Sequence, residues 1–127
     1  MKDGKPLMAY GLMGGSQQAQ GHAQVLVDLI DLGANLQAAG DAARFNHAQA
    51  TNALSLESNL YDLVGPRLRA MGHRVRSTNG EDMGGYQAIW WFSGAGDAME
   101  SPESDGPVNG VYRAASDHRK DGAAVGW

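Results

Sequence analysis

Residues 7–16 read LMAYGLMGGS, and this stretch decides the fold class. The apolar run over Leu7–Met13 is short and is interrupted by a glycine, which predicts a buried strand rather than a helix. Gly14 and Gly15 follow this run, and glycine pairs mark turns. Beyond them the apolar residues change to the spacing of a helix. The chain is therefore predicted to begin with a strand, a glycine turn and a helix, as in domains that mix helices and strands.

Three helices are predicted from apolar periodicity and from residues that favour helix ends, and they cover Ser16–Leu32, Leu36–Ala43 and Pro66–Met71. Ser16 is the predicted N-cap of the first helix, and Gly33 stands where a helix C-terminus favours glycine. Asn35 can cap the second helix. Pro66 fits the first turn of the third helix, where the missing N–H of proline has no helical partner to lose.

Strands are predicted where short segments are rich in apolar, aromatic and β-branched residues. They cover Leu7–Met13, Leu54–Glu57, Tyr86–Phe92 and Gly110–Ala115, with His73–Arg76 as a candidate edge strand. The segment Ser93–Pro107 is rich in Gly, Ser, Pro and acidic residues, which predicts a solvated loop. No repeat or linker is visible in the sequence. Residues 1–127 are therefore predicted to form a single α/β (α+β) domain, with a mostly antiparallel sheet and helices packed on one face.

The composition excludes several classes of function. Of the 127 residues, 43% are hydrophobic and 19% are charged, as in ordinary globular domains. A formal net charge of −4 offers no basic patch for nucleic acid, and no apolar run is long enough to span a membrane. The sequence has no cysteine, which excludes thiolate catalysis, disulfides and cysteine-bound zinc. Neither a metal nor a cofactor is expected, because no metal-ligand spacing connects His22, His47, His73 and His118.

Asp3-Gly4 is a strong signal for a two-residue β-hairpin turn. A hairpin needs a strand on either side, yet only Met1 and Lys2 precede this turn. One interpretation is that the sequence has been cut from a longer one, so that the true N-terminus is missing. The alternative is that Asp3 and Gly4 belong to a disordered tail. The compartment is therefore left open: periplasmic, secreted and cytoplasmic locations all remain.

The Gly14-Gly15 pair is the main candidate for a functional site. A glycine pair between a strand and a helix leaves two backbone N–H groups exposed beside the helix N-terminus, whose partial positive charge favours an anion. Such a pair can serve as an oxyanion hole for acyl transfer or as a phosphate cradle. The phosphate interpretation is weak, because neither G-x-x-x-x-G-K-[ST] nor G-x-G-x-x-G occurs. A tight turn without a function is the structural alternative.

Other polar residues carry weaker signals. His22 lies on the apolar side of the first helix, which favours a hydrogen-bonded core histidine over a ligand. Gln87 lies on an apolar strand and could orient a polar group, although alternation toward the surface explains it equally well. The aspartates and glutamates are scattered along the sequence, and no catalytic carboxylate pair can be picked out.

Several segments, taken in order along the chain, resemble motifs of the γ-glutamyltransferase (γ-glutamyltranspeptidase) family. They are GLMGGSQ at 11–17, GHAQVLV at 21–27, DAARF at 41–45, LRAMGHRV at 68–75, GGYQAI at 84–89 and SDHRKDG at 116–122. Each segment alone is weak evidence for the family, but the set in this order is specific for it and covers nearly the whole chain. The sequence departs from the family pattern at Ala43 and His118, where the family has proline, and at Trp127, where it has tyrosine. The chain thus resembles the C-terminal part of the smaller of the two subunits that enzymes of this family contain.

The resemblance implies an N-terminal nucleophile hydrolase with an α-β-β-α sandwich, of which this chain would form one side. In that family a precursor cleaves itself into a large and a small subunit, and the new N-terminal threonine attacks a γ-glutamyl amide. The α-amino group of that threonine acts as general base, and the acyl group passes to water or to an amine. The Gly-Gly oxyanion hole of the family falls on Gly14 and Gly15, so their backbone N–H groups are the catalytic groups that the resemblance assigns.

The nucleophile has no counterpart in this sequence, because Thr51 and Thr78 lie mid-chain and match no nucleophile position. The resemblance therefore implies that the isolated chain is inactive. Its expected partners are the large subunit and the N-terminal part of the small subunit, with a γ-glutamyl small molecule as the substrate of the full enzyme. The isolated chain is also expected to expose apolar surface and to self-associate. The alternative is a non-catalytic anion-binding or interaction module derived from the family.

Overall fold

The computed structural model describes residues 1–2, 4–93 and 110–125. Within them the helices and strands follow one another as β1 (Met8–Met13), α1 (Gln18–Ile30), α2 (Leu36–Asp41), β2 (Phe45–Ala48), β3 (Ala53–Glu57), α3 (Ser58–Ala70), β4 (Arg74–Thr78), β5 (Gly85–Ser93) and β6 (Gly110–Ser116). The predicted loop over Ser93–Pro107 lies outside the described residues, apart from Ser93, which ends β5. No helix in the described part of the chain is both long enough and apolar enough to cross a membrane.

The strands form two three-stranded sheets. In the first sheet β5 lies between β1 and β6 and pairs antiparallel with both. In the second sheet β3 pairs antiparallel with β2 and parallel with β4. Helix α3 connects the two parallel strands and packs against both of them, as the crossover of a parallel pair does. The predicted class, mixed helices and strands with mostly antiparallel pairing, is confirmed. The division into two sheets is a feature that the sequence did not indicate.

The hydrophobic core lies between the first sheet and helices α1 and α2. Its buried members are Leu12, Val25, Leu29, Leu36, Ala39, Tyr86, Ala88 and Ala115. Because successive side chains of a strand point to opposite faces, the residues between these core positions lie on the other side of the sheet. On that side Ile89 is 43% exposed and Tyr112 is 60% exposed. The helices therefore cover one face of the first sheet, as predicted, and the opposite face, here called the open face, carries exposed apolar residues.

The start of α1 differs from the prediction. Ser16 is not its N-cap: Gly14 begins a 3₁₀ turn over Gly15–Gln17, and α1 follows without a side-chain cap. Gly14 and Gly15 have φ of +140° and +59°, and this left-handed backbone carries Ser16 into the 3₁₀ turn. At the other end α1 stops at Ile30, and Gly33 has the positive φ expected after a helix.

Helix α2 is capped as the sequence predicts. The Asn35 side chain accepts a hydrogen bond of 2.8 Å from the backbone N–H of Ala38. This bond satisfies one of the N–H groups that a helix start leaves unpaired. The helix ends at Asp41 rather than Ala43, because Ala42 has turned to an extended ψ of 138°.

Helix α3 is much longer than predicted, because Pro66 lies in its interior and not in its first turn. An interior proline loses one helical hydrogen bond and crowds the preceding residue. That preceding residue is Gly65, which has no Cβ for the proline ring to strike. Packing of α3 against β3 and β4 supports the helix despite the proline. The sequence pattern alone therefore placed the start of this helix too late.

Strand β2 was not predicted. It pairs with β3 along one edge, and side chains of α1 hold its other edge. Gln24 exchanges two hydrogen bonds of 2.9 Å with the backbone of Phe45, and Gln20 exchanges bonds of 3.0 and 2.8 Å with the backbone of His47. These glutamine amides replace a neighbouring strand, so β2 depends on tertiary contacts rather than on its own sequence.

Of the predicted turn at Asp3-Gly4, Asp3 lies outside the described residues, and the structure describes Gly4 and the residues on either side of the turn. Lys2 and Lys5 exchange two backbone hydrogen bonds of 2.9 Å, and Gly4 has a φ of +80°. A positive φ of this kind is typical of the tight turns that close two-residue hairpins.

Candidate active site

The Gly14-Gly15 turn joins the end of β1 to the 3₁₀ turn that leads into α1. Gly14 and Gly15 are both exposed. The Gly14 carbonyl accepts a hydrogen bond of 3.1 Å from the N–H of Gln17, which closes the turn. Nothing lies within 4 Å of the position that a Cβ on Gly15 would take, so space is open in front of this residue.

The backbone N–H groups of Gly14 and Gly15 have no acceptor among the residues that the structure describes. They precede the 13-residue helix α1, whose first N–H groups carry a partial positive charge. Exposed N–H groups beside a helix N-terminus can receive an anion or an oxygen that develops negative charge. The turn thus offers donors of the kind that an oxyanion requires.

The floor under this turn is the backbone of Gly84. A Cβ on Gly14 would lie 2.9 Å from the Gly84 Cα and 3.4 Å from the Gly84 nitrogen. A Cβ on Gly84 would in turn collide with the carbonyl oxygen of Met13. Two backbone segments therefore touch directly here, at the end of the β1–β5 ladder where Met13 pairs with Gly85. Glycine is required at 14 and 84 because any side chain would separate these segments.

His22 closes the free edge of β1 beside the turn. Its Nε2 accepts a hydrogen bond of 3.1 Å from the backbone N–H of Leu12, and its Nδ1 lies 2.6 Å from the carbonyl oxygen of Gln18. This pair of contacts assigns the proton to Nδ1, because a carbonyl can only accept. The prediction of a hydrogen-bonded histidine is confirmed, although the ring is half-buried and packs edge-on against Tyr10. Both ring nitrogens are occupied, so His22 is not a free general base.

A second structural contribution comes from Gln17, which sequence analysis did not single out. Its side chain is only 2% exposed. The Gln17 Nε2 donates a hydrogen bond of 3.0 Å to the carbonyl oxygen of Phe45, and its Oε1 accepts one from the side chain of Asn46. These bonds tie the end of the glycine turn to β2, and so connect the first sheet to the second.

A buried ion pair lies behind the floor of the turn. The Arg44 Nη2 is 2.6 Å from the Asp117 Oδ2, and the two side chains are 2% and 0% exposed. Arg44 Nη1 donates to the carbonyl oxygens of Met83 and Gly84, at 3.1 and 3.4 Å. The same Asp117 oxygen accepts the backbone N–H of Tyr86 at 2.9 Å. Arg44 and Asp117 thus hold the segment that runs from Met83 to Tyr86.

Arg119 and Glu57 extend this pair into a cluster of two cations and two carboxylates. Arg119 contacts both oxygens of Glu57 at 2.6 Å, and its Nη1 lies 3.1 Å from the Asp117 Oδ1. Arg119 also donates to the carbonyl oxygens of Gly40 and Ala42, at 2.8 and 2.9 Å. The charges alternate and cancel, which is how ionised side chains can be buried together.

The surroundings of Asp117 keep its carboxylate ionised. Burial alone would raise the pKa of Asp117. Hydrogen bonds from the backbone N–H groups of Arg119 and Tyr86, together with the Arg44 guanidinium, outweigh that effect and lower the pKa below its ordinary value. Burial likewise acts to lower the pKa of Arg119, but its contacts with Glu57 and Asp117 raise it instead. Both groups are therefore charged at neutral pH.

This cluster was not predicted from the sequence, although its arginines and Asp117 lie in segments quoted for the family resemblance. Arg44 belongs to DAARF at 41–45, and Asp117 and Arg119 belong to SDHRKDG at 116–122. Each of these two motifs contains both an acidic and a basic residue, which is compatible with ion pairing between them. The sequence does not indicate, however, that the two motifs lie together in the fold.

The remaining candidate residues lie away from the glycine turn. His118 pairs with Asp41 at 3.0 Å on the surface, and His47 contacts Asn52 at 2.9 Å. Gln87 donates to the Ser116 hydroxyl at 2.8 Å on the open face of the first sheet, so a structural role suffices for it. Thr51 follows β2 and Thr78 ends β4, so both threonines belong to the second sheet and its connections, whereas the turn follows β1.

Solved enzymes share this arrangement of strands and helices. The cephalosporin acylase of Bacillus halodurans superposes with a TM-score of 0.79 at 29% identity, over 100% of this chain and 21% of the acylase chain. The gamma-glutamyltranspeptidase of Pseudomonas nitroreducens, complexed with L-DON, superposes with a TM-score of 0.75 at 24% identity, over 100% of this chain and 58% of that one. The fold is of the N-terminal nucleophile hydrolase class.

The sequence comparisons define the family within that class. The family model described as Gamma-glutamyltranspeptidase matches residues 1–127. The oxamate amidohydrolase proenzyme of Klebsiella pneumoniae is 31% identical over 131 residues, which is 100% of this chain and 22% of that protein. The chain therefore belongs to the gamma-glutamyltranspeptidase family. It spans less than a quarter of the length of this curated relative.

Proposed function

We propose that this chain supplies the oxyanion hole of an amide-cleaving N-terminal nucleophile hydrolase, and that it works as one part of a longer polypeptide. The observation that carries the proposal is the exposed pair of N–H groups at Gly14 and Gly15, which have no acceptor in the described part of the chain and stand before a helix. Family membership supports it, because the whole of residues 1–127 matches the gamma-glutamyltranspeptidase model.

In the proposed reaction the hydroxyl of an N-terminal threonine, supplied by another part of the enzyme, attacks the carbonyl carbon of a γ-glutamyl amide. The carbonyl oxygen takes up negative charge and accepts hydrogen bonds from Gly14 and Gly15. The C–N bond then breaks, the amine leaves with a proton, and the acyl group remains as an ester on the threonine. Water or a second amine attacks that ester and regenerates the hydroxyl.

The substrate proposed first is a γ-glutamyl amide, since that is the substrate after which the family is described. A smaller amide is the second candidate, because a relative with 31% identity is an oxamate amidohydrolase proenzyme. Both reactions cleave an amide C–N bond through an oxyanion, so Gly14 and Gly15 would have the same role in each. Measuring turnover of a γ-glutamyl anilide and of oxamate by the intact enzyme distinguishes the two candidates.

The proposal is tested by comparing proline substitutions at Gly15 and at Gly33 in the intact enzyme. Gly15→Pro removes one N–H donor, and we expect kcat to fall by at least ~100-fold. Gly33→Pro is the matched control: Gly33 also has a positive φ, +67°, and open space at its Cβ position, but it follows the other end of α1, so kcat should stay within a few-fold of the parent. The 127-residue chain alone should release no chromophore, because a donor has no effect without an attacking group.

Circular dichroism of each variant establishes that it is folded before the kinetics are compared. A folded Gly15→Pro enzyme with the parent kcat would reduce the turn to a structural role. Turnover by the isolated chain would show that a nucleophile lies within residues 1–127.

A further inference from the structure

The position of the glycine turn is set by the segment beneath it. Gly14 approaches the backbone of Gly84 so closely that a Cβ would lie 2.9 Å from the Gly84 Cα. Backbone atoms in such contact cannot move independently, because neither residue has a side chain that could yield. Any displacement of the Gly84 peptides is therefore transmitted to the Gly14 peptide.

Gly84, the residue of this segment directly beneath the turn, belongs to no helix or strand. It lies between a short 3₁₀ turn over Gly80–Met83 and strand β5, which begins at Gly85 and pairs with β1 there. Glycine gives a backbone more freedom than any other residue. Something outside the segment must therefore fix the orientation of its peptide groups.

Arg44 and Asp117 provide that restraint from behind. Arg44 Nη1 donates to the carbonyl oxygens of Met83 and Gly84, and the Asp117 Oδ2 accepts the N–H of Tyr86. The 2.6 Å ion pair between the two side chains joins these anchors into one unit. Each of the two residues is at most 2% exposed, so no water competes for these bonds.

We propose that Arg44 and Asp117 are positioning residues for the oxyanion hole, acting on Gly14 and Gly15 through Gly84. This inference rests on the proposed function. A misplacement of about 1 Å at a reacting centre can lower a rate by about 100-fold. The ion pair holds the donors where the oxyanion forms, so its loss should affect the transition state more than the binding of the substrate.

The kinetic test compares Arg44→Lys with Arg69→Lys in the intact enzyme. Lysine keeps the charge but has no planar fork, so it cannot hold the Met83 carbonyl and Asp117 together. We expect kcat to fall about 10- to 100-fold, with KM changed by less than about 3-fold. Arg69 is the matched control, because it also donates two hydrogen bonds to a backbone carbonyl, that of Val75. Arg69 lies on α3 and does not contact the segment from Met83 to Tyr86, so Arg69→Lys should keep the parent kcat.

Val75→Ala distinguishes an effect of lower stability from an effect on the position of the N–H donors. This substitution removes a buried side chain from β4 and destabilises the protein without touching the turn. Urea unfolding of each variant gives its stability. If Val75→Ala and Arg44→Lys lower kcat equally at equal loss of stability, the positioning role is overturned. Asp117→Asn is the second variant: it keeps an acceptor for Tyr86 and loses the ion pair, so it should repeat the fall in kcat.

A measurement on the 127-residue chain keeps this inference separate from the proposed function. In ¹H–¹⁵N spectra, Arg44→Lys should shift the amide resonances of Gly14 and Gly15, whereas Arg69→Lys should leave them in place. Unshifted glycine resonances in Arg44→Lys would overturn the mechanical link, whatever the enzyme catalyses. If the resonances shift but the intact enzyme does not cleave amides, the link between Arg44 and the glycine turn stands and the proposed function is wrong.

Discussion

At the scale of single residues, the site depends on two kinds of group that seldom occur together. Gly14 and Gly84 contribute by having no side chain, which lets two backbones touch. Arg44 and Asp117 contribute by being charged and fully enclosed. Removing the Asp117 charge leaves the Arg44 guanidinium buried without its carboxylate partner, which typically costs about 3–5 kcal/mol.

Asp117 makes the stability of the fold depend on pH. Its pKa is lowered in the folded chain, so its contribution is present above the unfolded pKa of about 4 and is lost as pH falls through the folded value. We predict that Asp117→Asn lowers the free energy of unfolding by about 3 kcal/mol at pH 7. The difference from the parent should shrink as the pH falls below about 4, because Asp117 then becomes protonated in the unfolded chain, while the folded carboxylate, with its lowered pKa, stays charged to lower pH.

Urea titrations at a series of pH values between about 3 and 7 measure this difference. Asp62→Asn is the control, since Asp62 is an exposed residue of α3, and its replacement should change stability little at any pH. A difference between parent and Asp117→Asn that stays constant down to low pH would contradict the assignment.

The residues of the site were only partly predictable. The glycine turn could be inferred locally, because a strand, two glycines and a helix are adjacent in the sequence. The cluster of Arg44, Asp117, Arg119 and Glu57 could not, because its members come from distant segments that only the folded chain unites. Ion pairing between distant residues leaves no periodic pattern, so scattered charges look like surface charges.

At the scale of elements, segments with a clear local signal were predictable, and segments that depend on tertiary contacts were not. The strands at Met8–Met13 and Gly85–Ser93 follow from their apolar, aromatic and β-branched residues, and α2 from its Asn35 cap. Strand β2 escaped prediction because glutamine side chains of α1 hold its free edge. Helix α3 was cut short in the prediction because proline normally marks a helix start.

Pro66 gives a prediction at this scale. Its ring removes one hydrogen bond from the interior of α3, a defect that costs up to about 3 kcal/mol in a helix. Pro66→Ala restores the donor but also frees the unfolded chain, which opposes the gain by up to about 1 kcal/mol. We expect a net stabilisation of about 1–2 kcal/mol, seen as a raised midpoint in thermal unfolding followed by circular dichroism.

Pro6→Ala is the matched control, because Pro6 precedes β1 and lies outside any helix. It should give no stabilisation, since it only frees the unfolded chain. A lowered midpoint for Pro66→Ala would mean that α3 is shaped around the proline.

At the scale of the whole molecule, the open face of the first sheet carries exposed apolar residues. Ile89, Trp91 and Tyr112 lie on it, with the rings of Trp91 and Tyr112 only 4.7 Å apart. Ile89 and Tyr112 are substantially exposed, and so is Met13 at 56%. Contiguous apolar surface of this kind usually marks an interface.

The isolated chain is therefore predicted to self-associate through this face. Sedimentation velocity at increasing concentration should show species larger than a monomer, and the double substitution Ile89→Thr with Tyr112→Thr should return the chain to a monomer. Leu63→Gln is the control: Leu63 is 79% exposed but lies on α3, so its replacement should leave association unchanged. A parent chain that stays monomeric at all concentrations would contradict the prediction.

The pairing of β1 with β5 also determines the order in which the chain can be assembled as it is synthesised. Met8 pairs with Trp90, so β1 leaves the ribosome long before its partner exists. The strands of the second sheet, β2, β3 and β4, follow one another in the sequence. This sheet can therefore form before β5, the partner of β1, has been synthesised. Pairing between distant segments is slow because a long loop must close first. We therefore expect the glycine turn, although near the beginning of the chain, to be among the last parts to take shape, after synthesis has passed β5.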